Sequence, residues 1–143
     1  MPEYESKPLP DVVERFMRYV QIDSQSDPEH DDVTPSTPRQ HEMARYLGEE
    51  LTSLGCTDVT VDEHAYVTGT FPASPDAESA PALMLCSHLD SVIDAPAAGI
   101  KPHIVHYEGG DLVAGVVAGE KIETTPEQVP DLEKFVGMDI VCS

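Results

Sequence analysis

Apolar residues first fall into step at Val12, Val13, Phe16, Met17 and Val20, a helical spacing that predicts an amphipathic helix. Pro10-Asp11 opens it, and Asp11 with Glu14 three residues on resembles a capping box. The pattern ends over 22–26, and Asp27-Pro28-Glu29-His30-Asp31-Asp32 follows as an acidic loop. A second stripe, Met43, Leu47, Leu51 and Leu54, runs at spacings of four, four and three and predicts a second helix. Thr37 is placed to cap it, Pro38 suits its first position, and Gly55 suits a left-handed stop. His41 lies off the stripe and is expected to be exposed.

Alternation then replaces the helical period. Val59 and Val61 between polar residues suggest one strand and 66–71 another, forming a hairpin across Asp62-Glu63-His64. Residues 72–80 are too polar to be buried and read as a surface loop. The next run, Ala82-Leu83-Met84-Leu85-Cys86, has neither Gly nor Pro and predicts a buried strand, with Cys86 a small buried hydrophobe. Beyond Ser91 the pattern loosens into a loop over 94–99. His103 and His106 are three apart, so on a strand they face opposite sides. Lys101-Pro102 and Gly109-Gly110 exclude a helix around them, which leaves a loop or edge strand. Gly109-Gly110-Asp111 is a turn, a short helical turn follows Pro126 and Pro130, and 138–142 is a final strand. No internal repeat, low-complexity tract or change of composition divides the chain.

Composition narrows the function classes. A length of 143 residues suffices for one domain with a core. Eight Lys and Arg against 27 Asp and Glu give a net charge of −19, which disfavours nucleic acid and anionic membranes as partners. The same charge raises the local concentration of cations, or serves solubility only. No apolar run is long enough to span a membrane. Met1-Pro2-Glu3-Tyr4-Glu5-Ser6-Lys7 lacks the basic-then-apolar pattern of a signal peptide. Three widely spaced cysteines, Cys56, Cys86 and Cys142, make neither a disulfide framework nor a zinc ribbon, so reduced thiols in a cytoplasmic protein are expected. A glycine-rich phosphate loop and a serine nucleophile elbow are both missing.

The densest chemistry is Ser87-His88-Leu89-Asp90-Ser91, at the end of the predicted buried strand. In an extended chain His88 and Asp90 face the same way, and the carboxyl end of such a strand is where ligands bind in open α/β sheets. An imidazole with a carboxylate beside it suits a metal ligand held in place by its neighbour. It equally suits a strand-end histidine hydrogen-bonded to an aspartate. His30, Asp31 and Asp32 read as a solvated acidic turn, because neighbouring side chains in a turn rarely converge.

Taken in order, these pieces resemble the amino-terminal third of the di-zinc exopeptidases, in particular their peptidase T branch of tripeptide aminopeptidases. Residues 15–26, ending Asp23-Ser24-Gln25-Ser26, resemble the family's opening helix and its Asp-Thr-Gln-Ser turn. Pro35-Ser36-Thr37 resembles the entry to its second helix, and Leu54-Gly55, Val59-Thr60-Val61 and Phe71-Pro72-Ala73 the elements that follow. Ser87-His88-Leu89-Asp90-Ser91 resembles the metal motif Ser-His-Val-Asp-Thr, and Tyr107-Glu108-Gly109-Gly110-Asp111 an element particular to that branch. The resemblance implies a zinc ligand at His88 and a catalytic carboxylate at Asp90 that steers the metal site. It implies an α/β fold, here a partial mixed-sheet α/β/α sandwich, with 1–143 the amino-terminal part of a catalytic domain. It also implies two zinc ions per complete site, short peptides and mainly tripeptides as substrates, and possible homodimerisation.

The chain departs from that pattern by stopping at Ser143, before the family's bridging aspartate, its glutamate base, its remaining ligands and its dimerising domain. A catalytic zinc needs about three protein ligands, and one is in hand. The expectation is therefore an incomplete piece, inactive alone, with apolar faces lacking cover. The competing readings are a non-catalytic acidic module that binds a cation or partner, and a related dipeptidase or deacylase that shares the Ser-His-x-Asp-x motif.

Overall fold

The helical period at the start of the chain becomes α1, Asp11–Tyr19. These coordinates come from a computed structural model that describes residues 9–117 and 119–142. The Met1–Lys7 stretch, read above for targeting signals, lies outside them. Asp11 does not cap α1. It is the first helical residue, and its carboxylate accepts from Arg15 Nε at 2.8 Å, one turn ahead. The Pro10 carbonyl instead takes the amides of Val13 and Glu14. No residue of α1 is buried, Val12 is 71% exposed and Phe16 half-exposed, and Val13 and Met17 are half-buried, so its apolar face is only partly covered among the described residues.

Two compact units divide the chain. One is Ile22–Ala98. It holds α2, Gln40–Ser53, and the antiparallel pair β1, Thr57–Val61, and β2, Val67–Thr70. Helix α2 starts later than Thr37 predicts. The Thr37 side chain is buried and donates to the Gln25 carbonyl at 2.8 Å, which takes it away from any capping role. Along the predicted stripe Met43 is buried and Leu54 is exposed, and Gln40, Ala44 and Gly48 supply the rest of the buried face. A Cβ on Gly48 would stand 2.7 Å from a Val61 methyl, so glycine lets the hairpin approach the helix. The helix ends as predicted. Gly55 takes φ +90°, its amide reaches the Thr52 carbonyl, and the Cys56 amide reaches Leu51. In the hairpin turn the Asp62 carboxylate accepts from the amides of His64 and Tyr66.

The other unit joins the described residues up to Gln21 to those from Gly99 onward. Here β3, His103–His106, pairs antiparallel with β6, Asp139–Cys142, and β4, Leu112–Val117, pairs antiparallel with β5, Glu120–Thr124. The loop-or-edge-strand reading of His103 and His106 and the final strand both hold. The β4–β5 hairpin was not anticipated. A short core gathers Tyr107, Leu112, Leu132 and Cys142, with Val105, Ala114 and Ile140 packed against it. The 3₁₀ turn Pro130–Phe135 delivers Leu132, and the Tyr107 hydroxyl donates to the Gly110 carbonyl at 2.6 Å across the glycine turn. Burial pushes the Cys142 thiol pKa up, as for an unreactive core cysteine.

The fold is thus α/β in the broad sense, with helices and small antiparallel sheets. A further expectation fails. Residues 82–86 are not a strand, and Leu83, Met84 and Leu85 are 84, 84 and 86% exposed. Cys86 is exposed rather than buried. The physical reason is pairing. A run apolar on both faces suits an interior strand, which needs hydrogen-bonding neighbours on both sides. Among the described residues none bonds to its backbone.

Candidate metal-ligand site

The chain regains fixed contacts where that run ends. Residues 23–26 lie alongside 89–92 through an isolated parallel bridge between Gln25 and Ser91. The Ser91 amide donates to the Ser24 carbonyl at 3.2 Å, and the Ser26 amide to the Ser91 carbonyl at 3.4 Å. Side chains tighten the join. Ser24 Oγ donates to the Leu89 carbonyl, and Gln25 Nε2 donates to the carbonyls of Val92 and Ala95, both at 2.8 Å. Ser24 itself is buried. The two segments fix the backbone on both sides of Asp90.

His88 and Asp90 meet, as their spacing predicts. The ring Nδ1 of His88 lies 2.9 Å from the Asp90 carbonyl and 3.2 Å from Asp90 Oδ1. Both partners are acceptors, so Nδ1 is the donor in this pair; in the neutral ring the lone pair then sits on Nε2, which has no hydrogen-bond partner among the described residues. The side chain of His88 is well exposed, at 78%. The other Asp90 oxygen, Oδ2, accepts from the Ser26 hydroxyl, and Ser26 Oγ accepts in turn from Nε2 of the buried Gln40 at 3.3 Å. The Ser26 hydrogen bond is the main reason the Asp90 carboxyl titrates below the usual range; burial opposes it, and the residue's own amide and then the His88 ring add to the lowering. Asp90 is therefore an anion at neutral pH, held on one side by Ser26 and offered on the other to His88.

Beside this pair is an open hollow of about 320 Å³ whose lining includes Ser26, Asp27, Asp90, Ser91 and Asp94. Ser91 Oγ is buried with no hydrogen-bond partner among the described residues. Asp27 closes the adjacent turn by accepting from the Glu29 amide and from His30 Nδ1, as a solvated acidic turn does. In the other unit His106 Nδ1 meets Asp139 Oδ1 at 2.8 Å across the β3–β6 pair.

As a zinc site the arrangement is partial. It presents one imidazole nitrogen and the carboxylate that orients its ring. Among the described residues no group of three or more His, Cys, Asp and Glu side chains is placed to hold a metal ion. The sequence reading did not assign roles to Ser24, Gln25, Ser26 and Gln40. The first three were legible only as part of the Asp-Ser-Gln-Ser turn, and Gln40 carried no signal.

No family model matches the chain. Curated relatives named Peptidase T do. The protein from Aliivibrio fischeri is 39% identical over 133 residues, 93% of this chain and 32% of the relative. That from Geobacillus sp. strain WCH70 is 36% identical over 132 residues, 92% of this chain and 31% of the relative. That from Parabacteroides distasonis is 38% identical over 130 residues, 91% of this chain and 31% of the relative. The chain thus spans about a third of the length of the relatives it matches, consistent with their amino-terminal third.

Proposed function

We propose that this chain, similar over nine-tenths of its length to Peptidase T, contributes one metal ligand and its orienting carboxylate to a zinc-dependent aminopeptidase. The complete enzyme removes the amino-terminal residue from short peptides, chiefly tripeptides, and works in the cytoplasm; a homodimer is the assembly the resemblance implies. The observation that carries this reading is the contact of His88 Nδ1 with Asp90 Oδ1 at 3.2 Å, within the motif Ser87-His88-Leu89-Asp90-Ser91. That contact keeps the proton on Nδ1 and directs Nε2 outward as the donor atom. Zinc, when bound, would polarise the scissile carbonyl and lower the pKa of a coordinated water. Asp90 orients the imidazole and lends it negative charge. Ser26, supported by Gln40, keeps the Asp90 carboxylate from swinging away. A mixed-sheet α/β/α sandwich completed by further polypeptide is the architecture proposed for the whole domain.

The ligand count motivates a second reading, a non-catalytic acidic module that binds a cation or a partner. Zinc titration by calorimetry separates the two. Stoichiometric zinc binding that is lost in His88→Ala supports the retained half-site, and no metal binding at all supports the module or an inert fragment. Equal zinc binding by the chain and by His88→Ala would remove His88 from the site. Purified, zinc-loaded chain should not hydrolyse a tripeptide, since about three ligands are needed for a catalytic zinc. Turnover by the chain alone would overturn its proposed incompleteness.

A further inference from the structure

The entry to α2 grips the 23–26 segment at three points. Thr37 Oγ1 donates to the Gln25 carbonyl at 2.8 Å, Arg39 Nη1 donates to Asp23 Oδ2 at 2.6 Å, and Gln40 Nε2 donates to Ser26 Oγ at 3.3 Å. The first two hold the segment through groups that do not bond to His88 or Asp90. The third leads into that pair, because Ser26 Oγ is also the group that donates to Asp90 Oδ2.

Proton accounting gives this row of side chains a direction. An ionised carboxylate only accepts, so the single Ser26 hydroxyl proton goes to Asp90. What faces the remaining lone pairs of Ser26 Oγ must then donate, and the Gln40 amide supplies the N–H. Gln40 is 6% exposed, where an amide left without its partner is costly. Hydrogen bonds in such a chain polarise one another, so a hydroxyl that accepts from Gln40 donates more strongly to Asp90. At the far end Asp90 Oδ1, the oxygen that Ser26 leaves open, lies 3.2 Å from His88 Nδ1. The Asp90 carbonyl, at 2.9 Å, is a second acceptor for the same N–H, but it lacks the charge that strengthens a hydrogen bond.

We propose that Gln40 is a positioning residue for His88. Its amide commits the Ser26 proton to Asp90, Ser26 holds the carboxylate with Oδ1 toward the ring, and the neutral ring keeps its proton on Nδ1 and its lone pair on Nε2. That Nε2 then serves a metal rests on the function proposed above, whereas the coupling from Gln40 to the ring does not.

The test reads the ring itself. The chain is labelled with nitrogen-15 histidine, and the His88 signals are assigned by their loss in His88→Ala. Their shifts give the ratio of Nδ1–H to Nε2–H at a single pH of about 8.5, where a histidine of ordinary pKa, ~6.5, is neutral. Asp90→Ala leaves the backbone carbonyl in place and sets the ratio without the carboxylate. Gln40→Met keeps the length of the side chain and removes the amide. It should lower the ratio at least threefold, toward the Asp90→Ala value, and Ser26→Ala should do the same. Gln40→Glu puts an acceptor where a donor is needed and should lower it at least as far, which decides the matter if Gln40→Met does not fold. Ser26→Thr keeps the hydroxyl and should keep the ratio. Thr37→Val removes a buried hydroxyl of the same grip, and it should lower the melting temperature without moving the ratio. Three results would overturn the proposal: a ratio unchanged in both Gln40 variants, a ratio unchanged in Asp90→Ala, or a ratio that moves as far in Thr37→Val as in Gln40→Met. Zinc calorimetry on the same chains tests the functional reading separately. A ratio that falls in Gln40→Met, with zinc bound by none of the chains, keeps the coupling and removes the metal. Zinc bound equally by the chain and Gln40→Met, with an unchanged ratio, keeps the metal and removes the coupling.

Discussion

Asp139–Cys142 and residues 82–86 are both short apolar runs that end on a cysteine, yet Cys142 is buried and Cys86 is exposed. The difference lies in what runs alongside. Asp139–Cys142 finds β3 in register, with Val105 opposite Ile140 and Ile104 opposite Val141. It then closes over Tyr107, Leu112 and Leu132. Residues 82–86 have richer apolar content and no partner among the described residues. Apolar side chains alone do not make a strand, because the backbone amides and carbonyls must also leave water for something that bonds them.

The largest effect is expected where the first run closes its core. Leu132 is 5% exposed in a cluster with only a few other buried side chains, so it has no spare packing to lose. Leu132→Ala should destabilise its unit by about 2–5 kcal/mol in denaturant unfolding. Leu83→Ala, made in water-exposed surroundings, should change stability by less than about 0.5 kcal/mol. Equal losses from the two substitutions would mean that 82–86 is packed after all.

Amide exchange on the chain alone sharpens the same contrast without substitution. Residues 140–142 lie in the β3–β6 ladder and should open only with it, whereas 83–86 should exchange at the rate of an unstructured peptide. Strong protection at 83–86 in dilute chain would break the comparison.

What could be read in advance follows from the same distinction. The helix stop at Gly55, the Asp62 turn and the β6 strand depend on residues near in sequence or on short-range patterning, and all were legible. So was the His88–Asp90 contact, which needs only a spacing of two. The capping roles of Asp11 and Thr37 were not, because Arg15 and the Gln25 carbonyl competed for those side chains. The exposure of 82–86 was illegible for a different reason. The run carries the pattern of an interior strand, and a pattern says what a segment needs, not whether its neighbours are present. The support of Asp90 by Ser26 and Gln40 spans 64 and 14 positions in its two steps, a distance that local periodicity does not reach.

A smaller effect is expected at the boundary where the free run becomes anchored. Ser26→Ala removes the hydroxyl that donates to Asp90 and leaves Gln40 Nε2 without that acceptor. Hydrogen bonds to charged groups contribute roughly 1.5–3 kcal/mol when shielded. Here the Asp90 side chain is 43% exposed and water can substitute, so a loss of about 1 kcal/mol is expected. Ser91→Ala is the matched control. Its Oγ is buried without a partner among the described residues, so removing it should cost nothing measurable. A greater loss from Ser91→Ala than from Ser26→Ala would relocate the anchor.

The smallest effect is a pH dependence at Asp27, beside the same anchor. The Glu29 amide, then His30, hold its carboxyl below the ordinary value of 3.8 in the folded chain, with a weaker contribution from the Arg39 charge. A carboxyl whose folded value is depressed stabilises the fold above its unfolded value and loses that contribution as pH falls through the folded one. Asp27→Asn keeps an oxygen that can accept from Glu29 and removes the charge. The wild-type chain should therefore be slightly more stable than Asp27→Asn at pH 5 to 7. The gap should narrow below pH 3.8 and vanish once the folded carboxyl is protonated. Thermal melts of the two chains across that range measure the gap directly, and a gap that widens toward acid would show that the charge of Asp27 works against its turn.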